Sequence, residues 1–166
     1  MMTGNWRAMQ VEDLPVISRI AEVVHPDFPE DDAIFAERLQ LCPEGCFVLV
    51  LGGKICGYLF SHPWKVLDVP ALNTPLGQLP ENPGTFYLHD IALLPEARSG
   101  GQTGPIIRHL VAQAEMKGFP EFSLVAVNGS QPFWNRNDFV DVDDDRLRQK
   151  LLSYDSDARY MVRMLR

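Results

Sequence analysis

The apolar positions of the chain repeat with two different periods, and the switches between them predict an ordered series of strands and helices. Gly52-Gly53 separates two apolar runs, a pattern typical of a β-hairpin. Residues 63–84 are rich in proline and asparagine and predict a long loop. In chain order we predict a strand at 6–10, helices at 11–25 and 31–42, a hairpin at 45–64, a strand at 85–94, a helix at 104–118, a strand at 121–127, a short helix or turn at 131–137, and strands at 138–142 and 159–165.

This order of elements predicts the fold class. The strand, helix and strand of residues 85–127 require a parallel pair joined by a right-handed crossover. The hairpin and the C-terminal strands add antiparallel neighbours. We therefore expect an α/β fold in which a mixed sheet of about six or seven strands carries helices on both faces. We expect one domain over residues 1–166.

Composition narrows the function classes. The chain has 166 residues, of which 46% are hydrophobic and 22% charged, as in globular proteins. Its net charge of −7 argues against a nucleic-acid partner. The N-terminus has no apolar signal segment, and no apolar run approaches a membrane span, so we expect a cytoplasmic protein. We interpret Cys42 and Cys46 as buried thiols and expect no metal site.

The turn after the strand at 85–94 has features of an anion site. Gly100 and Gly101 allow a ligand to approach the backbone closely. Because Gly104 precedes Pro105, we expect Gly104 to stay extended and Pro105 to begin the helix. The free N–H groups of residues 101–104, beside Arg98, could then hold a pyrophosphate.

With these residues the sequence resembles the GCN5-related N-acetyltransferase (GNAT) superfamily. The acetyl-CoA motif of that family runs from a strand through Arg/Gln-x-x-Gly-x-Gly/Ala into a helix. The matching residues here are Arg98, Ser99, Gly100, Gly101, Gln102 and Thr103, and downstream Asn128, Ser130, the segment PFWNRN and Asp138-Phe139. Thr103 stands where the family has Gly or Ala. Trp134 stands where many members have the tyrosine that protonates the departing thiolate.

The resemblance implies an acetyl-CoA-dependent N-acetyltransferase in which a primary amine attacks the thioester directly. It implies that backbone amides beside a bulge hold the pantetheine arm. Asn128 would serve the cofactor, or would only form a turn before Gly129. The implied cofactor-binding residues are Ile91, Ala92, Leu93, Arg98, Ser99, Gly100, Gly101, Gln102, Thr103, Gly104, Asn128, Ser130, Phe133 and Trp134.

The candidate catalytic groups lie on the strand at 85–94. Strict alternation places Tyr87, His89 and Ile91 on one face, which in the family looks toward the acceptor. His89 is the predicted base, because histidine is the side chain that exchanges protons most readily near neutral pH. Asp90 is expected to anchor a helix or loop on the opposite face. Tyr87, or alternatively Tyr154 or Tyr160, could replace the acid missing at Trp134.

The acceptor pocket is expected between the first two helices and the long loop. Its predicted lining comprises Phe28, Trp64 and the acidic residues 30–32, which suit an amine. We expect a small-molecule or peptide amine as the partner, no nucleic acid and no membrane, with a homodimer as a possible assembly. Two other classes stay open: a non-catalytic acyl-CoA sensor on the same fold, and a different nucleotide-binding protein.

Overall fold

The computed structural model describes residues 4–166. Over these residues it contains a seven-stranded mixed sheet with strand order β1-β2-β3-β4-β5-β7-β6, which confirms the predicted fold class. β4 and β5 pair in parallel, and the other neighbouring strands are antiparallel. The strands are β1 Asn5–Ala8, β2 Cys46–Leu51, β3 Lys54–Trp64, β4 Thr85–Leu93, β5 Glu121–Ala126, β6 Val140–Asp141 and β7 Arg159–Met164.

Helices cover both faces of this sheet, as predicted. They are α1 Leu14–Val24, α2 Asp32–Leu41, α3 Thr103–Met116, α4 Gln131–Arg136 and α5 Arg148–Tyr154. α3 and α4 share one core with Phe86, Leu88 and Phe122, whereas α1 and α2 share another with Tyr58 and Phe60. Within residues 4–166, no helix combines the length and the apolar character that crossing a membrane would require.

Two local predictions were wrong. α3 begins at Thr103 rather than at Pro105, so Gly104 is helical. Gly104 has no Cβ to clash with the proline ring, and Pro105 lies in the first turn, where its missing N–H is not needed. The sequence pattern also missed α5, which has no fully buried residue. Such a short helix shows little apolar periodicity, because neighbouring segments rather than its own pattern hold it in place.

A bulge in β4 creates the main irregularity of the sheet. Asp90 lies opposite Phe60 on β3, but Leu88 lies opposite Ser61, which leaves His89 as an extra residue. The parallel pairing of β4 with β5 ends at Leu88 and Leu124, although β4 continues to Leu93. Beyond the bulge the two central strands therefore separate, and a cleft opens between them.

The strand opposite the bulge depends on a close backbone contact. The Ser61 hydroxyl donates a hydrogen bond to the carbonyl oxygen of Gly45 (2.7 Å). A Cβ atom on Gly45 would overlap the carbonyl oxygen of Ser61 and lie 2.9 Å from its carbonyl carbon. Because backbone cannot move aside as a flexible side chain does, we predict that Gly45→Ala lowers the free energy of unfolding by about 1–3 kcal/mol in urea denaturation.

Gly53→Asn provides the control for this prediction. Gly53 has φ 78° at the hairpin turn, and a Cβ there meets no atom within 4 Å. Asparagine tolerates this left-handed conformation, so the loss should stay below about 1 kcal/mol. Equal losses in the two variants would contradict the importance of the contact between Gly45 and Ser61.

Candidate functional site

The cleft between the diverging strands has a volume of about 540 Å³. Its walls are the end of β4, the end of β5, the segment after β5, α4, the start of α3 and the end of α1. The cleft is large enough for an extended ligand. It brings together these residues predicted from the sequence: His89, Ile91, Ala92, Leu93, Arg98, Thr103, Asn128, Ser130, Phe133 and Trp134.

The unpaired edge of β4 presents alternate peptide groups to this cleft. The carbonyl oxygens of Ile91 and Leu93 contact His25 Nε2 (3.3 Å) and Arg98 Nε (3.0 Å), so both residues point away from β3. The N–H of Leu94 instead donates to Cys56 on β3 (2.8 Å). Because peptide directions alternate along a strand, the N–H of Ala92 also points toward β3. Of the three residues predicted to bind the cofactor through their amides, Ile91 and Leu93 therefore direct their N–H groups toward the cleft.

The turn between β4 and α3 forms an open backbone cradle at one end of the cleft. Gly101 has φ 66°, and a Cβ built on it would meet no atom within 4 Å. α3 begins two residues later, so the unpaired N–H groups of its first turn surround this point. Gln102 is buried, and its carbonyl oxygen accepts a hydrogen bond from Trp6 Nε1 (2.7 Å). Gln102 can therefore offer a ligand its backbone but not its side chain.

The backbone of Asn128 has a structural role. Asn128 and Gly129 have φ 56° and 70°, and the N–H of Ser130 donates to the carbonyl oxygen of Val127 (3.1 Å). These residues form a tight turn, for which the Asn-Gly pair is well suited. The Asn128 side chain also lines the cleft. The turn is therefore present, and binding of a cofactor by the amide remains a prediction.

Trp134 forms part of the apolar wall of the cleft. It is only 5% exposed and packs edge-on against Phe133 and Phe139. Tyr87, predicted as a substitute acid, lies outside both the cleft and the pocket described next, and is fully buried. Burial raises the pKa of its phenol well above 10, so it cannot supply a titrating proton there.

A second, narrow pocket of about 40 Å³ adjoins the cleft on the face of α1 and α2. Phe28 and Glu30 line it, as predicted for the acceptor pocket. Trp64 does not, because it is buried beside His62 at the end of β3. Asp31 and Asp32 also lie outside it: the N–H of Asp31 donates to Asn73 Oδ1 (2.7 Å), and Asp32 accepts a bond from the Ser18 hydroxyl. The pocket is lined by His25, Phe28, Glu30, Leu72, His89, Asp90, Val125, Val127 and Tyr154.

Two histidine–carboxylate pairs stand where the cleft and the narrow pocket meet. His89 Nε2 lies 2.8 Å from Glu30 Oε1, and these side chains are only 2% and 5% exposed. His25 Nε2 lies 2.9 Å from Asp90 Oδ1. Asp90 also accepts a hydrogen bond from the Tyr58 hydroxyl (2.6 Å). Asp90 and His89 thus face the same side of the sheet, and the predicted strict alternation was wrong because the bulge resets it.

Each histidine stabilises the ionised form of its carboxylate partner. Burial opposes ionisation of Glu30 and Asp90, but their histidine partners hold the pKa of both carboxyl groups below the usual range. Burial likewise opposes a charge on His25, yet the hydrogen bond and attraction from Asp90 raise its pKa above 6.5. The Nδ1 atoms of His25 and His89 are buried with no hydrogen-bond partner among residues 4–166. Each ring therefore has one nitrogen held by a carboxylate, whereas its other nitrogen is buried and makes no hydrogen bond to these residues.

The sequence pattern did not identify the pair of His25 and Asp90. The two residues are 65 positions apart, and His25 ends α1 in a segment with no distinctive motif. A single histidine after an amphipathic helix gives no signal of a site. The one available hint was the acidic cluster at 30–32, of which Glu30 lines the narrow pocket.

Comparisons with known proteins agree with the fold. A sequence model described as "Acetyltransferase (GNAT) family" matches residues 9–139. A search of curated protein sequences finds no significant match. Similar solved structures share only 14–16% sequence identity with this chain, so the likeness establishes the fold alone.

The GphF GNAT-like decarboxylase in complex with isobutyryl-CoA has a TM-score of 0.79 and 15% identity, covering 98% of this chain and 100% of that chain. N-acetylglutamate synthase from Neisseria gonorrhoeae, complexed with coenzyme A and N-acetyl-glutamate, has a TM-score of 0.71 and 14% identity, covering 99% of this chain and 35% of that chain. The ribosomal-protein-S18-alanine N-acetyltransferase from Escherichia coli has a TM-score of 0.68 and 16% identity, covering 98% of this chain and 94% of that chain.

The cradle at Gly101 can be tested with a matched pair of glycine substitutions. Gly118, at the other end of α3, also has positive φ (82°), and a Cβ there would likewise meet no atom within 4 Å. We predict that Gly101→Ala and Gly118→Ala lose similar stability, about 1 kcal/mol, because both force alanine into the left-handed region. Only Gly101→Ala should weaken CoA binding, by at least about tenfold in calorimetric titration, because its methyl group would occupy the position of a phosphate.

If Gly101→Ala binds CoA as tightly as the wild type does and is as stable as Gly118→Ala, the turn is not part of the CoA-binding site.

Proposed function

Because this chain belongs to the acetyltransferase (GNAT) family, we propose that it transfers an acetyl group from acetyl-CoA to a primary amine. One observation carries the proposal: a large cleft and a narrow pocket meet at His25, His89 and Asp90. An extended thioester and a small nucleophile can thus approach the same point from two sides. Proximity of this kind can contribute much of the rate enhancement of a transfer reaction.

The residues along the cleft suit coenzyme A in size and chemistry. The open backbone at Gly101, with Arg98 beside it, suits the pyrophosphate. The N–H groups of Ile91 and Leu93, on the unpaired edge of β4, suit the amide groups of the pantetheine arm. The acyl end would then lie near the bulge, where the same edge can donate a hydrogen bond to the thioester carbonyl.

In the proposed reaction the amine attacks the thioester carbonyl carbon directly. A C–N bond forms, the C–S bond breaks, and the electron pair leaves with the thiolate. The proton lost by the amine passes to a histidine at the junction of the two pockets. The thiolate can leave without a protein acid because thiols have a pKa of about 8.5. Trp134 then serves to exclude water from the acyl end of the cleft.

Two histidines can accept the proton, His89, predicted from the sequence, and His25. The side chain of His25 is 16% exposed and that of His89 is 2% exposed. Each of these histidines lines the cleft as well as the narrow pocket. Because the side chain of His25 is the more exposed, His25 is the better placed proton acceptor, and Asp90 orients its ring. His89 and Glu30 would then hold the amine in position from the other side.

A second candidate reaction is decarboxylation of a carboxyacyl-CoA thioester. The small size of the narrow pocket, about 40 Å³, favours it, because a carboxylate released as CO₂ needs little space and no acceptor. In that reaction the C–C bond breaks, its electrons form the thioester enolate, and a proton from a histidine completes the product. The similar GphF protein is described as a GNAT-like decarboxylase.

Release of free thiol separates these functions. We predict that the protein releases CoA thiol from acetyl-CoA only when a primary amine is present, because the C–S bond breaks on acyl transfer. The measurement is a thiol-reactive dye assay with a panel of amines, and malonyl-CoA serves as the decarboxylase probe. Loss of CO₂ from malonyl-CoA without thiol release would replace transfer by decarboxylation. Tight CoA binding with neither reaction would identify an acyl-CoA sensor.

The identity of the base follows from the pH profile. A base must be neutral to accept a proton, and the pKa of His25 is raised above 6.5. If His25 is the base, kcat/KM should increase with pH through a midpoint above 6.5. His25→Asn should abolish that rise and lower kcat by about 10²-fold or more. His89→Asn is the matched comparison. If kcat/KM still rises with pH in His25→Asn but no longer does so in His89→Asn, the base is His89.

A further inference from the structure

The segment between β3 and β4, residues 65–84, forms a strap across the face of the sheet that carries α1, α2 and α5. At one end it is held by α5: Lys150 Nζ donates to Asp68 Oδ1 (2.9 Å) and to the carbonyl oxygen of Val69 (3.1 Å). The Tyr154 hydroxyl donates to the carbonyl oxygen of Pro70 (2.5 Å). The strap is thus fixed at several points rather than projecting freely into solvent.

The other end of the strap is bound to α2 and to the residues before it. The backbone N–H groups of Leu76 and Gly77 donate to the Glu37 carboxylate (2.7 and 3.0 Å). Asn73 has φ 53°; its side-chain oxygen accepts from the N–H of Asp31 (2.7 Å), and its own N–H donates to Glu30 Oε2 (3.1 Å). Because Glu30 Oε1 also contacts His89, one carboxylate joins the strap to the catalytic junction.

Between these anchors the strap places Leu72 in the wall of the narrow pocket. The other apolar residues of the wall are Phe28, Val125, Val127 and Tyr154. The charged groups at its inner end are Glu30 and Asp90 with their histidines. The volume is about 40 Å³, whereas a single water molecule needs about 10–15 Å³. The pocket therefore holds only a few non-hydrogen atoms.

We infer that the acceptor is a small aliphatic primary amine rather than a polypeptide N-terminus. This inference rests on the proposed transfer reaction. The inner carboxylates attract an ammonium group, and the apolar wall suits a short hydrocarbon chain. A polypeptide N-terminus would have to bring its first peptide group into a pocket that has no room for it. The strap forms part of the pocket wall and is fixed to both α2 and α5. Leu72 sets the size limit.

Competition among three amines tests this inference in the wild-type protein. With acetyl-CoA saturating, propylamine should show kcat/KM at least about 100-fold above both benzylamine and an alanine-initiated tetrapeptide. Tetrapeptide turnover equal to that of propylamine would overturn the inference and leave the transfer reaction standing. Absence of transfer to every amine would overturn both the proposed function and this inference.

Enlarging the pocket gives a second test. Leu72→Ala should raise kcat/KM for benzylamine by at least about tenfold and leave the dissociation constant of CoA unchanged. Leu76→Ala is the matched control, because Leu76 belongs to the same strap but lies outside the pocket. Equal selectivity in the two variants would contradict the assignment of Leu72 as the size limit.

A variant that changes the strap but not the pocket wall tests the same inference independently of whether Leu72→Ala folds. Asn73→Gly retains the positive φ and the backbone N–H but removes the side-chain bond to Asp31. Loosening the strap in this way should also raise the relative kcat/KM for benzylamine, and thermal melting checks that both variants are folded. Unchanged amine selectivity in both folded variants would show that the strap does not select the acceptor.

Discussion

The bulge at His89 is the constraint on which the site depends. One extra residue in β4 shifts the register against β3, so His89 and Asp90 both face α1 and α2. Just before it, at Leu88, pairing with β5 ends. A single irregularity therefore separates the central strands and collects the ionisable side chains at the point of separation. In a regular strand one of these two side chains would lie on the opposite face of the sheet, away from the other.

The electrostatics of the junction follow from this geometry. Buried ions are costly unless they are paired, and here each carboxylate has a histidine within 3 Å. Asp90 gains further support from the Tyr58 hydroxyl, whose own pKa is raised well above 10 by burial. Moving one proton onto or off this cluster therefore changes the charge of a largely buried site.

The two cavities differ more than tenfold in volume, and different parts of the chain determine them. The cleft of about 540 Å³ results from the parting of β4 and β5, which is a property of the sheet. The pocket of about 40 Å³ is bounded by Phe28 before α2, by Leu72 of the strap and by Tyr154 of α5. The sheet therefore forms the wide cleft, while the loops and a short helix limit the narrow pocket. This division agrees with the general placement of specificity in loops on a rigid scaffold.

Local sequence patterns were sufficient to predict the order of the seven strands and of every helix except α5, and the turn between β4 and α3. Local rules suffice for these features: apolar periodicity predicted the strands and longer helices, and Gly52-Gly53, both with positive φ, marked the hairpin. The strand predicted at 138–142 was less successful, because only Val140–Asp141 pairs with β7. Pairing at the edge of a sheet depends on a neighbour that local sequence does not specify.

The residues that meet at the site could not be identified without the three-dimensional packing of the chain. His89 contacts Glu30 across 59 positions of the chain, and His25 contacts Asp90 across 65. Alternation along β4 assigned His89 and Asp90 to opposite faces, since a bulge leaves no mark in a single strand's pattern of apolar residues. The register of β4 against β3 created these pairs, and the strap then fixed the size of the pocket. Such contacts arise from the packing of distant segments, which local sequence patterns do not encode.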